Sequence, residues 1–184
     1  MAFVDLEHES EDLFRAPIIK VGDAELTGPG LALYEKFFEN APTAKSSLYP
    51  SAHKAAIKEM MVWDEETFRP AVNQLIDRLV EKEEADNEED DSKVLDEFFD
   101  IHMVSLEKKL ETHTVGFSCE RLSFADVVIY NDMCSVLHLY GAELKESTTP
   151  NLSEWFENMK TIVPKIEELD KKFDQACKAK GIGK

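Results

Sequence analysis

Apolar residues recur at helical spacing through most of the chain after residue 50. The segments 52–79 and 95–110 each show one apolar face, which predicts two long amphipathic helices, and Pro70 is expected to break or kink the first. The segment from Val127 to Leu139 differs, because its apolar residues point in nearly every direction. That pattern predicts a helix buried at the centre of a helical bundle.

The start of this central helix carries a capping signal. Ser123 is predicted to accept a hydrogen bond from the backbone N–H of Asp126, while the Asp126 carboxylate accepts one from the N–H of Ser123. Leu122 and Val127 have the spacing of a hydrophobic staple around that cap. Capping explains Asp126 better than catalysis does, so Ser123 and Asp126 are interpreted as structural residues that fix the start of the helix.

The chain before residue 50 shows a different pattern. Two β-prone runs, at 17–21 and 24–27, flank a glycine-led pair at 22–23, and a two-residue loop of this kind is typical of a β-hairpin. An amphipathic helix that starts at about residue 31 and ends near residues 40–42 is predicted next, followed by a linker over 43–50. The sequence therefore predicts a small β-hairpin and one helix in front of a mainly helical protein.

The chain has 38 acidic residues and 21 lysines and arginines. The formal net charge is −17 over 184 residues, and no basic patch offsets it, so nucleic acid is not expected as a direct partner. Segment 81–92 is almost entirely polar and strongly acidic, which predicts a flexible, solvated loop. The segment could also bind a basic partner, but the solvated loop is the favoured interpretation.

Few residues suggest chemistry. The three cysteines have no paired spacing and indicate reduced thiols; Cys134 lies within the central helix, and Cys119 is the candidate for thiol reactivity. The five histidines form no metal-ligand spacing with acids or cysteines, so no metal site is expected. With no apolar run of transmembrane length and no basic leader, we expect a cytoplasmic protein without membrane insertion; an organellar or ciliary assembly is the alternative.

The order of these signals resembles the glutathione S-transferase superfamily from about residue 17 to residue 173. The matching motifs are Leu48-Tyr49-Pro50, Leu122-Ser123-x-Ala125-Asp126 and Pro150-Asn151-Leu152-x-x-Trp155. The resemblance implies a mainly α fold, with a helical bundle like the transferase C-terminal domain over 47–184 and a truncated thioredoxin-like hairpin and helix over 1–46. It also implies that Pro17 matches the cis-proline of the thioredoxin-like half, and that Pro150, Leu152 and Trp155 are fold markers.

Two departures from the superfamily bear on function. Only sixteen residues precede Pro17, whereas a complete βαβ unit needs about thirty, so we expect the strand that carries the catalytic Tyr, Ser or Cys to be missing. Where the enzymes bind the γ-glutamyl group through Glu-Ser or Gln-Ser, this chain has Gly28 and Pro29, and Pro29 lacks a backbone N–H. The resemblance therefore implies no catalytic residue, no glutathione site and no cofactor.

The truncated first half, the Leu26-Thr27-Gly28 sequence and the complete helical half are most similar to the elongation factor 1 epsilon type. Proteins of that type are small non-catalytic adapters of the multi-aminoacyl-tRNA-synthetase complex. The resemblance implies an adapter that binds other proteins, either transferase-like proteins or subunits of a translation assembly. One residue departs from that type, because Glu154 stands where the adapters tend to carry Arg before Trp155.

Four residues are candidates for the partner interface. Met60, Met61 and Trp63 lie on the first helix of the helical half, across which proteins of this superfamily pair; the run is expected to be mostly core, with one edge exposed at such a surface. Glu154 lies on the short helix after Pro150. Two other functions stay open at this point. The chain could be an accessory structural subunit of another complex, or a divergent glutathione-dependent enzyme that uses a thiol such as Cys119.

Overall fold

The computed structural model describes two short strands and a series of helices. The described residues are 19–21, 24–26, 30–40, 42–80, 88–113, 115–162, 168, 171–173, 175 and 178. The two strands are β1 (Ile19–Val21) and β2 (Ala24–Leu26). The helices are α1 (Gly30–Asn40), α2 (Pro42–Leu48), α3 (Lys54–Trp63), α4 (Arg69–Val80), α5 (Glu88–Phe98), α6 (Val104–Leu110), α7 (Phe124–Tyr140) and α8 (Pro150–Ile162).

The two strands form the hairpin that the sequence predicts. β1 and β2 pair antiparallel, with Val21 opposite Ala24, so two residues connect them. Helix α1 follows and contacts both strands. Pro17, the predicted match to the cis-proline, lies outside the described residues.

Residues predicted as a linker are helical instead. Helix α2 covers Pro42–Leu48, within the segment 43–50 that the sequence assigned to a linker. Pro42 occupies the first helical position, where its missing N–H costs no hydrogen bond and its fixed φ suits a helix. The linker prediction is therefore wrong for most of its length, and the extended connection is limited to the residues around Tyr49 and Pro50.

Both long amphipathic helices contain one π-helical turn. The first π segment, Asp64–Phe68, joins α3 to α4, and the N–H of Arg69 donates to the carbonyl of Asp64 five residues earlier. The second π segment, Phe99–Met103, joins α5 to α6. Pro70 has no N–H to offer the carbonyl of Glu66, so the interruption predicted at Pro70 takes the form of a widened turn, and the chain stays helical on both sides.

The C-terminal end of the acidic loop predicted over 81–92 is helical instead. Residues 88–92 belong to the first turns of α5, while residues 81–87 lie outside the described part. A helix N-terminus favours negative charge because its free N–H groups point toward it. Asp91 also accepts a hydrogen bond from Nε of Arg78, at 2.9 Å. Acidic residues that would repel one another in a loop are therefore accommodated in this helical turn.

Helix α7 lies at the centre of the bundle, as the all-round apolar pattern predicts. Eleven of its seventeen residues are buried, and it packs against α3 and α4. Gly141 ends the helix in the left-handed conformation, with φ of 59°, which glycine adopts without steric cost. Helix α8 packs against α6, and the loop between α7 and α8 reaches the surface beside it.

Candidate functional site

Asp126 is the centre of a buried hydrogen-bond network. Ser123 and Asp126 form the reciprocal capping box, with the N–H of Ser123 donating to Oδ2 of Asp126 at 2.8 Å. The Ser123 hydroxyl also donates to this oxygen, at 2.6 Å. The other oxygen, Oδ1, accepts from the N–H of Phe117 at 2.9 Å and from Nε1 of Trp155 at 3.1 Å. One carboxylate thus holds the start of α7, the preceding loop and helix α8 together.

The space beside this carboxylate excludes any side chain at residue 116. A Cβ on Gly116 would lie 2.8 Å from the carbonyl oxygen of Arg121 and 2.9 Å from each carboxylate oxygen of Asp126. These distances are shorter than ordinary van der Waals contacts, so glycine is required for the loop to approach Asp126. The turn around residue 116 is visible in the sequence, but this close approach is not.

Glu107 fixes the N-terminus of α8. Its Oε1 accepts from the N–H and from the Nδ2 of Asn151, the backbone bond at 3.1 Å, and its Oε2 accepts from the N–H of Leu152 at 2.8 Å. The carboxylate therefore serves two of the N–H groups that a helix start leaves without partners. Of the predicted fold markers, Leu152 and Trp155 are buried and Pro150 begins the helix. Sequence reasoning missed Glu107, because its partners are 44 and 45 residues away.

A groove lies between the end of α7, the following loop and the outer face of α8, and it encloses about 910 Å³. Its apolar wall includes Leu137, Ala142, Leu144 and Phe156. We call it the acidic groove, because four glutamates line it. These are Glu143, Glu146, Glu154 and Glu157.

All four glutamates of the acidic groove are exposed. Lys160 is the lysine in its lining. Its Nζ donates to Glu157 at 2.6 Å and lies 4.7 Å from the ring centroid of Phe156. The acidic groove therefore combines an apolar wall with an excess of negative charge. Such a surface suits a positively charged segment that also carries an apolar side chain.

The structure corrects part of the predicted interface on α3. Met60 and Met61 are 5% and 4% exposed and belong to the hydrophobic core, so they do not form a surface for a partner. Trp63 is half-buried, stacks on Phe68 with ring centroids 5.6 Å apart, and is covered by Nζ of Lys109 at 4.8 Å. Their burial agrees with the expectation that this run is mostly core, and they do not belong to its exposed edge.

The two described cysteines are buried. The thiol of Cys119 donates to the carbonyl of Arg121 at 3.4 Å, and burial raises the pKa of Cys119. Cys134 lies inside α7, and Cys177 is outside the described residues. A reactive cysteine needs an accessible thiolate, and neither buried thiol provides this environment.

Other site types leave no trace in the part of the chain that is described. No three side chains among its His, Cys, Asp and Glu residues come together as a metal site. None of its helices is both long enough and apolar enough to span a membrane. Gly28 and Pro29, which occupy the positions of the glutathione-binding pair in the resemblance, lie outside these residues.

Comparison with known proteins gives one family and several similar folds. The sequence profile of the family described as "Glutathione S-transferase, C-terminal domain" matches residues 71–171. No curated protein matches the sequence significantly. Several solved structures do match, at sequence identities that show a common fold and nothing more.

Three of these structures are glutathione transferases. An epsilon-class enzyme from the housefly, Musca domestica, has a TM-score of 0.68 and 18% identity, over 92% of this chain and 77% of the other. A delta-class transferase from Nilaparvata lugens has a TM-score of 0.67 and 22% identity, over 90% and 75%. A tau-class transferase from mango, Mangifera indica, has a TM-score of 0.63 and 16% identity, over 90% and 76%.

Proposed function

We propose that this chain, which belongs to the family of proteins with a glutathione S-transferase C-terminal domain, is a non-catalytic adapter that docks other proteins within a larger assembly. The acidic groove is the observation that carries the proposal. It combines an apolar wall with four exposed carboxylates. It lies on α8, whose N-terminus is bound by Glu107 and whose Trp155 donates to Asp126. A charged groove with an apolar wall is suited to protein recognition.

The partner that fits the groove is a protein segment with Lys or Arg residues around one apolar anchor. The carboxylates of Glu143, Glu146 and Glu154 would face the basic residues, while the anchor would pack against the wall that Phe156 helps to form. Charges at the rim of such an interface set the rate of association and exclude partners of the wrong sign. Glu154, the residue that departs from the adapters of the elongation factor 1 epsilon type, would then select a basic partner.

Two observations support a function without catalysis. Gly28 and Pro29 offer no side chain to hold a γ-glutamyl group, and Pro29 offers no N–H either. Burial raises the pKa of Cys119, which disfavours the thiolate that a thiol-based reaction would need. The transferase activity in the names of the similar structures belongs to those proteins, and this chain shares their fold.

For the assembly, we propose the translation machinery of the cytoplasm, with aminoacyl-tRNA synthetases or elongation factors as neighbours. The support is the resemblance of the Leu26-Thr27-Gly28 segment and of the helical half to the elongation factor 1 epsilon type. An accessory role in a different complex would use the same groove with different partners.

Affinity purification with quantitative mass spectrometry tests the proposal. A groove variant, Glu143→Lys with Glu154→Lys, is compared with a matched surface variant, Asp96→Lys with Glu97→Lys, in which two exposed acids of α5 are reversed. We expect the groove variant alone to lose its specific partners by about tenfold or more, which corresponds to about 1.4 kcal/mol. Equal recovery by both variants and the unaltered chain would contradict the use of the groove. The identity of the captured proteins distinguishes a translation assembly from another complex.

A further inference from the structure

Two aspartates and one arginine meet at the first π segment. Nη2 of Arg69 donates to Oδ2 of Asp64 at 2.8 Å, and Nε of Arg69 donates to Oδ2 of Asp132 on α7 at 3.0 Å. The Asp64 side chain is 1% exposed, and that of Asp132 is 13% exposed. Tyr34 on α1 reaches the same cluster beside Arg69. The cluster thus connects α1, the joint between α3 and α4, and the central helix α7.

One oxygen of this cluster has no donor. Oδ1 of Asp64 is buried and accepts no hydrogen bond from any described residue. Buried carboxylate oxygens without donors are rare, because each loses its hydration without replacement. The two carboxyls share the guanidinium of Arg69, and a side-chain hydrogen bond between them is among the causes that raise the pKa of Asp64. Two carboxylates cannot bond to each other unless one of them carries a proton.

We infer that Asp64 and Asp132 form a proton-binding site in which Asp64 holds a proton and donates it to the carboxylate of Asp132. This arrangement gives Oδ1 of Asp64 a role as donor. It also balances the cluster, since the charge of Arg69 is matched by one carboxylate instead of two. Loss of the proton leaves two negative charges beside one partly buried guanidinium and removes the hydrogen bond between the two carboxyls. The site therefore makes the joint between these elements sensitive to pH.

The electrostatic surroundings of Asp64 agree with this geometry. Burial and the charge of Asp132 raise the pKa of Asp64, Arg69 lowers it only in part, and the resulting pKa is about 7. The titratable and charged groups that face the site are Arg69 on α4, Asp132 on α7 and Tyr34 on α1. Asp64 is the residue of the cluster that gains most from a proton, because its second oxygen is buried and lacks a donor.

Carboxyl titration by NMR tests the inference on the full chain. With 13C-labelled aspartate and assignment through the backbone, the Cγ shifts of Asp64 and Asp132 are followed from pH 4 to pH 9. We expect the last proton of the pair to leave near pH 7, as one coupled step that is visible at both residues. If both carbons complete their titration below about pH 5, the pair is an ordinary ion pair with Arg69 and the inference is wrong.

Two variants separate the effect of the Asp132 charge on the pKa of Asp64 from the effect of burial. In Asp132→Asn the like charge is gone, so the midpoint of Asp64 is expected to fall by about one unit or more. The matched control is Asp96→Asn, an exposed residue of α5, which should leave the midpoint unchanged. An unchanged midpoint in Asp132→Asn would overturn the shared site. Because these readouts report protonation directly, they are independent of whether the acidic groove docks a partner.

Discussion

Two aspartates of this protein are buried to the same extent but differ in their surroundings. Asp126 and Asp64 are 0% and 1% exposed. Both oxygens of Asp126 are occupied, by two donors from Ser123 and one each from Phe117 and Trp155. Asp64 accepts from Arg69 on one oxygen and has a free second oxygen. Both oxygens of the Asp126 carboxylate therefore have hydrogen-bond donors, whereas one oxygen of Asp64 has none.

Burial raises the pKa of both carboxyls, so what differs between the two sites is the set of groups around each carboxylate. Burial raises the pKa of Asp126, and its four hydrogen bonds oppose that increase. At Asp64 the neighbouring carboxylate works with burial instead of against it. Asp126 accordingly stabilises the fold, whereas Asp64 makes the fold respond to the proton concentration.

The largest effect is expected at Asp126. Asp126→Ala removes the helix cap and leaves the N–H of Phe117 and Nε1 of Trp155 buried without an acceptor, which should lower the free energy of unfolding by about 3–4 kcal/mol. Urea denaturation measures the change. Asp96→Ala on the exposed face of α5 serves as the control and should have little effect. A loss below about 1 kcal/mol at Asp126 would mean that the network contributes little to stability.

A methyl group at residue 116 tests the same network without removing any polar atom. Gly116→Ala brings a Cβ into conflict with the Asp126 carboxylate and the Arg121 carbonyl, and we expect a loss of about 2–3 kcal/mol in the free energy of unfolding. Val115→Ala, next to it on the surface, should change stability by no more than about 0.5 kcal/mol. Equal stabilities of the two variants in urea would show that the loop moves away from Asp126 easily.

The pH dependence of stability tests the other side of the comparison. Because the pKa of Asp64 is about 7 in the folded chain and lies near its ordinary value when unfolded, the folded state binds more protons between these values. The contribution of Asp64 to the free energy of unfolding is therefore complete at low pH and is lost as the pH rises toward 7 and above. Asp64→Asn lacks this contribution. Its free energy of unfolding, relative to that of the unaltered chain, should therefore increase by about 2 kcal/mol between pH 5 and pH 8. Parallel stability profiles of the two proteins would contradict a proton at Asp64.

The smallest effect is expected at Glu107. Glu107→Gln keeps the size of the side chain but removes one of the two acceptor oxygens at the start of α8, at a cost of about 1 kcal/mol. Hydrogen exchange at the amides of Asn151 and Leu152 should quicken, because these N–H groups bond to Glu107. Glu111→Gln, one turn later on the exposed surface, is the matched control. Unchanged exchange at both amides would indicate that α8 is held by packing alone.

Local patterns predicted more of this fold than of its polar clusters. The capping residues Ser123 and Asp126 are three positions apart, and a period of apolar residues identifies α7 as central, so neither needs knowledge of the tertiary structure. The bonds from Phe117 and Trp155 to Asp126 span 9 and 29 residues, and no local pattern indicates them. The resemblance to the transferase superfamily identified Trp155 as a fold marker, and the structure shows that its Nε1 donates to Oδ1 of Asp126.

The missed features have physical reasons. Asp64 opens the acidic run Asp64-Glu65-Glu66, which suggests a solvated face, and its partner Asp132 is 68 positions away. The π segments use the same apolar periods as α-helices, so their wider turns do not show in the sequence. Met60 and Met61 were candidates for the exposed edge of a run expected to be mostly core, because helical spacing gives the width of an apolar face but not what covers it.

Titration calorimetry with reduced glutathione tests the central claim, that a transferase fold serves here without a glutathione site. The full chain is titrated to several millimolar ligand, with an active glutathione transferase as the positive control. Without a Glu-Ser or Gln-Ser pair to hold the γ-glutamyl group, we expect no saturable heat at concentrations that would reveal a Kd of about 1 mM. Saturable binding with a Kd well below that value, together with conjugation of an electrophile by the same sample, would contradict the account.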